Sequence, residues 1–147
     1  MASHFVSCFH FFPLNDAPQH LFTDGACCQA EQPCLNLASF GVLSATSDEM
    51  VGLGHLSGIT QSIDRAELFA LVKATSWTTT HDLYICSDSL SNVHIAEHIQ
   101  QHGWIPSHVE NYDLWLLLQD ALGLRQGYHS LPLGAIPCTH LSSGGSL

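Results

Sequence analysis

Three acids stand at positions where a carboxylate needs a reason: Asp24 inside Leu21-Phe22-Thr23-Asp24-Gly25-Ala26, Asp88 closing Tyr84-Ile85-Cys86-Ser87-Asp88, and Glu67, four residues after Ile63 and four before Leu71. Singly, each has a plain structural reading. Asp24-Gly25 suits a turn, Asp88-Ser89 suits a helix cap, and Glu67 suits the solvent edge of a helix. Together they suggest more, because carboxylates that converge without Lys or Arg repel one another and divalent cations relieve that repulsion through oxygen ligation. Mg²⁺ is the natural ion for such a set.

The elements that would carry these acids follow from the apolar periodicities. Leu21 to Cys28, Leu37 to Ala45 and Met50 to His55 read as three strands, the last two joined by polar Thr46-Ser47-Asp48-Glu49 as an antiparallel pair. From Ser62, a capping residue, the period changes to that of a helix through Leu68, Leu71, Val72 and Thr75. His81 to Ser87 is a fourth strand and Ser89 to Gln101 a second helix, stopped by Gly103. A third helix runs from the cap Asn111 along Leu114, Leu117, Leu118 and Leu122 to a terminating Gly123, with Trp115 as core. Tyr128 to Cys138 offers one more strand, weakened by Pro132 and Pro137.

This order describes a mixed α/β sheet in which the first of these strands lies parallel to the fourth through a helical crossover. Asp24 and Asp88 then meet at one edge, and the crossover helix brings Glu67. Ligands in such sheets bind at the carboxyl ends of strands.

Composition narrows the partners. The 147 residues suit one domain, and 46% hydrophobic with 11% charged residues excludes a disordered chain. No apolar run reaches membrane-spanning length. Thirteen acids against Arg65, Lys73 and Arg125 give a net charge of -10, a poor surface for unaided phosphate binding. The first twelve residues lack Lys and Arg, so they fit neither a secretory signal nor an Arg-rich transit peptide. With no CxxC pattern, the six cysteines read as free thiols of an intracellular protein, cytoplasmic or nuclear.

Four segments, LFTDGAC (21–27), QSIDRAELFA (61–70), ICSDSLSNV (85–93) and NYDLWLLLQDAL (111–122), resemble the type 1 ribonuclease H domain in order and spacing, over about residues 19 to 141. The likeness is greatest to versions attached to retroelement reverse transcriptases. The resemblance implies a ribonuclease H-like mixed five-stranded sheet with flanking helices. It implies an endonuclease that hydrolyses the RNA strand of RNA-DNA hybrids with two Mg²⁺ or Mn²⁺ ions and leaves 5′ phosphates. By motif, Asp24 would bridge the ions and Glu67 and Asp88 would complete their coordination. Ile136-Pro137-Cys138-Thr139-His140 resembles the approach to the family's mobile-loop histidine, so His140 is the candidate for assisting proton movement or product release. Its plain alternative is an exposed tail histidine.

The pattern departs from the family after that point. The family's fourth Asp and terminal helix have no counterpart, since no acid follows Asp120, and Asp113 and Asp120 read as capping or surface residues. The expectation is therefore a sheet with the C-terminal helix missing and a loosened metal site, hence an impaired nuclease. A catalytically inactive structural or interaction module beside a reverse transcriptase or other adjoining domain is the alternative. Another metal-dependent phosphodiester hydrolysis is the third option. The domain is expected over 19–141, between an N-terminal tail (1–18) and a Ser/Gly tail (142–147). On the second helix, His94, His98 and His102 replace the basic residues expected of a hybrid binder, so binding should be weak and strengthen as pH falls. A plain solvated face is their simpler reading. Trp104 reads as a core or hinge residue. Zinc at Cys27, Cys28, Cys34 and His55 is set aside for lack of zinc-finger spacing.

Overall fold

The computed structural model describes residues 7–11, 19–28, 31–32, 36–45, 47–77 and 83–125. In chain order the elements are β1 (Ser7–Phe11), β2 (Gln19–Cys28), β3 (Leu37–Ser44), β4 (Glu49–His55), α1 (Ile63–Ser76), β5 (Leu83–Ser87), α2 (Leu90–His102) and α3 (Tyr112–Arg125). They form one mixed sheet in the order β1-β5-β2-β3-β4. The expected meander is present: β2 pairs antiparallel with β3, and β3 with β4. The crossover through α1 then brings β5 parallel to β2.

Two boundaries differ from expectation. Ser7–Phe11, placed in the N-terminal tail by sequence, is instead an edge strand running antiparallel to β5. Its five residues, SCFHF, are too few for a strand period to stand out, so only the exposed edge of β5 reveals the pairing. The expected strand from Tyr128 to Cys138 lies outside the described residues, as do His140 and the Ser/Gly tail. The third helix continues through Gly123 to Arg125: Gly123 does not take the left-handed conformation by which Gly103 stops α2, and a glycine that stays helical weakens a helix without ending it.

The core lies on one face of the sheet. Leu21 of β2, Ala38, Phe40 and Val42 of β3, and Leu83 and Ile85 of β5 pack against Ala66, Leu68, Leu71 and Ala74 of α1. Val93, Ala96 and Ile99 of α2 close it from one side. Within α3 the buried stripe is Leu114, Trp115, Leu118, Ala121 and Leu122, while the expected Leu117 is exposed. The indole of Trp115 takes the inward place, its Nε1 donating to the Glu110 carbonyl at 3.0 Å. On the other face Phe22, Asp24, Leu43, Met50 and Leu53 border a groove of about 370 Å³.

A long-range contact ties α1 to α3. The Arg65 guanidinium donates to both carboxylate oxygens of Asp113, at 2.9 and 2.6 Å, and to Asn111 Oδ1 at 3.2 Å. Asn111 holds the expected position before the helix, with φ 58°, but caps through its backbone carbonyl, which accepts from Leu114 and Trp115. Its side chain serves Arg65 instead. The fork-shaped pairing is partly exposed on the Asp113 side, so Arg65→Ala should cost about 1 kcal/mol in urea unfolding. Asp113→Asn should cost no more.

Candidate metal and active site

Register settles the position of the first and third acids. Thr23 of β2 is opposite Ser87, the last residue of β5, in the parallel ladder, so the next residue of each segment is an aspartate: Asp24, within β2, and Asp88, just after β5. The junction is stitched by Thr23 Oγ1 donating to the Cys86 carbonyl at 3.2 Å, and by the Ser89 amide donating to Ser87 Oγ at 3.1 Å. Both aspartates are exposed, and Asp24 Oδ1 accepts from the Gly25 amide at 2.9 Å.

Glu67 reaches this edge because Gly25 has no side chain. A Cβ at Gly25 would lie 2.5 Å from the Glu67 amide nitrogen and 2.8 Å from its Cγ. The first turns of α1 therefore rest directly on the β2 backbone. Ser62 sets that start, its Oγ accepting from the Arg65 amide at 3.2 Å.

The electrostatics bind the three acids into one group. Burial first, then the neighbouring charges of Asp88, Asp64 and Asp24, push the Glu67 carboxyl up to about 7. Asp64, an acid in the first turn of α1 where it also suits the helix dipole, belongs to the same negative region. Of the cations, Arg65 is held by Asp113, and Lys73 lies 5.2 Å from the centre of the Phe69 ring.

Glu67 therefore holds its proton more tightly in the folded chain than in the unfolded one, where the ordinary value is 4.5. Its contribution to stability is fullest below that value and is lost as pH rises through about 7. Without divalent cations, the melting temperature should thus decline over that interval. Glu67→Gln should remove that part of the slope, as read by thermal melts across the pH series.

Hard oxygen donors, their placement at one sheet edge and the strain on Glu67 fit a divalent cation such as Mg²⁺ or Mn²⁺. Among the described residues, however, no three His, Cys, Asp or Glu side chains are already drawn to coordinating distance. The fit is thus one of donor chemistry and location, with Asp24 exposed within β2 just past the last rung of its ladder with β5, and Asp88 exposed just after β5.

An RNase H family model matches residues 16–126, a span that takes in all three acids and most of the chain. The chain belongs to the RNase H family. The family's chemistry is hydrolysis of RNA in RNA-DNA hybrids, usually with divalent metal ions, and the mixed sheet is its RNase H-like fold. Among solved structures, the RNase H1 of the halophilic archaeon Halobacterium salinarum NRC-1 is similar, at 16% identity and a TM-score of 0.35. The match covers 76% of this chain and 80% of that one. No curated protein matches. No helix among the described residues is long and apolar enough to cross a membrane.

Proposed function

We propose that this chain is an endonuclease that hydrolyses the RNA strand of RNA-DNA hybrids, using two Mg²⁺ or Mn²⁺ ions held by Asp24, Glu67 and Asp88. The observation that carries this reading is geometric: the parallel register of β2 and β5 brings the residues before Asp24 and Asp88 opposite each other, and the contact at Gly25 seats Glu67 of α1 on the same stretch of β2. When bound, such ions supply charge stabilisation at the scissile phosphate and acidify the attacking water.

The protein's own part is placement. In support, the parallel ladder runs up to Thr23 and Ser87, the residues directly before Asp24 and Asp88, and Glu67 lies against the β2 backbone at Gly25. The Gly25 amide orients the Asp24 carboxylate. His140, outside the described residues, is proposed to help product leave or a proton move. The net charge of -10 makes hybrid affinity depend on the metal ions and on an adjoining basic domain, for which a reverse transcriptase is the candidate.

The test is cleavage by the full chain of end-labelled RNA-DNA hybrid, duplex RNA and duplex DNA, each with and without Mg²⁺ or Mn²⁺. The expected result is metal-dependent cutting of the RNA in hybrid alone, at internal positions and with 5′ phosphate ends. Equal cutting of all three duplexes would assign a different phosphodiester hydrolysis. No cutting of hybrid at any metal concentration would leave the inactive interaction module as the correct reading.

A further inference from the structure

A second group of metal-ligating side chains lies at the far end of α2, and the nuclease reading makes no use of it. His98 and His102 are one helical turn apart, with ring centres 4.6 Å apart and planes tilted by 43°. The helix ends at Gly103 in the left-handed conformation, φ 79°, which reverses the chain and lays Trp104 edge-on to His98 at 4.3 Å. Gln119 of α3 holds that turn by donating to the Gly103 carbonyl at 3.0 Å. Trp104 is consequently an exposed residue packed on two histidines at this turn, so the core half of the core-or-hinge expectation does not hold.

Within this group His98 Nε2 is buried and has no hydrogen-bond partner among the described residues. Two imidazole nitrogens that share one ion at roughly 2.0–2.1 Å, at an angle near that of a tetrahedron or a square, place their ring centres roughly 4.5–5.3 Å apart. The observed separation falls in that interval. Nitrogen donors select borderline transition ions, whereas oxygen donors such as those of Asp24, Glu67 and Asp88 select Mg²⁺ or Mn²⁺.

We propose that His98 and His102 form a two-nitrogen site for a borderline divalent transition ion, Zn²⁺, Ni²⁺ or Cu²⁺, whose remaining ligands are solvent and which is bound when the His98 ring turns its buried, unpartnered Nε2 outward. The site is roughly 15 Å along the helix from Asp88, at 1.5 Å per residue, and does not rest on the nuclease assignment. An ion there staples the last turn of α2 and with it the Trp104 turn. Trp104 beside both rings makes binding visible.

The experiment is a titration of the full chain with NiCl₂ near neutral pH, read by calorimetry and by tryptophan fluorescence, in wild type, His98→Gln, His102→Gln and His94→Gln. His102 is exposed, so His102→Gln tests the site without disturbing the core. The wild type should show one saturable site with quenching of fluorescence. Affinity should fall at least about tenfold in His98→Gln and His102→Gln and stay within about twofold in His94→Gln. A large excess of MgCl₂ should leave the signal unchanged. Equal Ni²⁺ binding by wild type and His102→Gln, or displacement of Ni²⁺ by Mg²⁺, would overturn the proposal.

Discussion

Asp88→Asn should lower hybrid cleavage by at least about a thousandfold, equivalent to roughly 4 kcal/mol of transition-state stabilisation, while leaving the chain folded. The exchange keeps the shape of a side chain that is exposed at the end of β5 and removes its charge. Its other effect runs in the opposite direction. Asp88 is the foremost of the charges that raise the Glu67 carboxyl, so Asp88→Asn brings that carboxyl back toward its ordinary range. Without divalent ions at neutral pH, the melting temperature should therefore stay level or rise. A stable but inactive variant separates a ligand from a structural residue. A fully active one would refute the assignment of Asp88.

The largest loss of stability should come from Gly25→Ala. The new methyl group would meet backbone on one side, the Glu67 amide nitrogen at 2.5 Å and the Ala66 carbonyl carbon at 2.9 Å, and backbone cannot rotate aside. Helix α1 would have to lift from β2, opening the packing of Leu68 and Leu71. We expect a cost of about 3 kcal/mol or more and a melting temperature lower by roughly 10 °C, measured by circular dichroism. Gly41→Ala on the neighbouring strand is the matched control. Its methyl group would meet nothing closer than 3.9 Å, so its effect should stay within about 1 kcal/mol. If the two variants melt together, close approach of α1 is not what Gly25 provides.

The three acids were legible in the sequence because each breaks a local pattern: Asp24 inside one strand run, Asp88 closing another, and Glu67 in an apolar helical stripe. The strand and helix order was legible for the same periodic reason, and it brought β2 beside β5. What stayed hidden was set by contacts across long sequence distances. Gly25 looked like half of a turn, since nothing local shows that a helix from forty residues on will rest against it. Arg65 and Asp113 carry no mark of each other, and Asn111 could be read as a cap without revealing that its side chain would turn to Arg65. Ser7–Phe11 is too short to announce a strand before its partner edge exists. The packing of Trp104 on His98 and His102 depends on the reversal at Gly103, a backbone conformation that sequence indicates only as a helix stop.

The most direct test of the central claim is calorimetric titration of Mg²⁺ and Mn²⁺ into the wild-type chain and into Asp24→Asn, Glu67→Gln and Asp88→Asn, with no nucleic acid present. If the acids of β2, α1 and β5 form one cation site, the wild type binds with proton release from Glu67 at neutral pH, each substitution weakens binding, and Glu67→Gln also abolishes the proton release. Identical isotherms for all four proteins would contradict it.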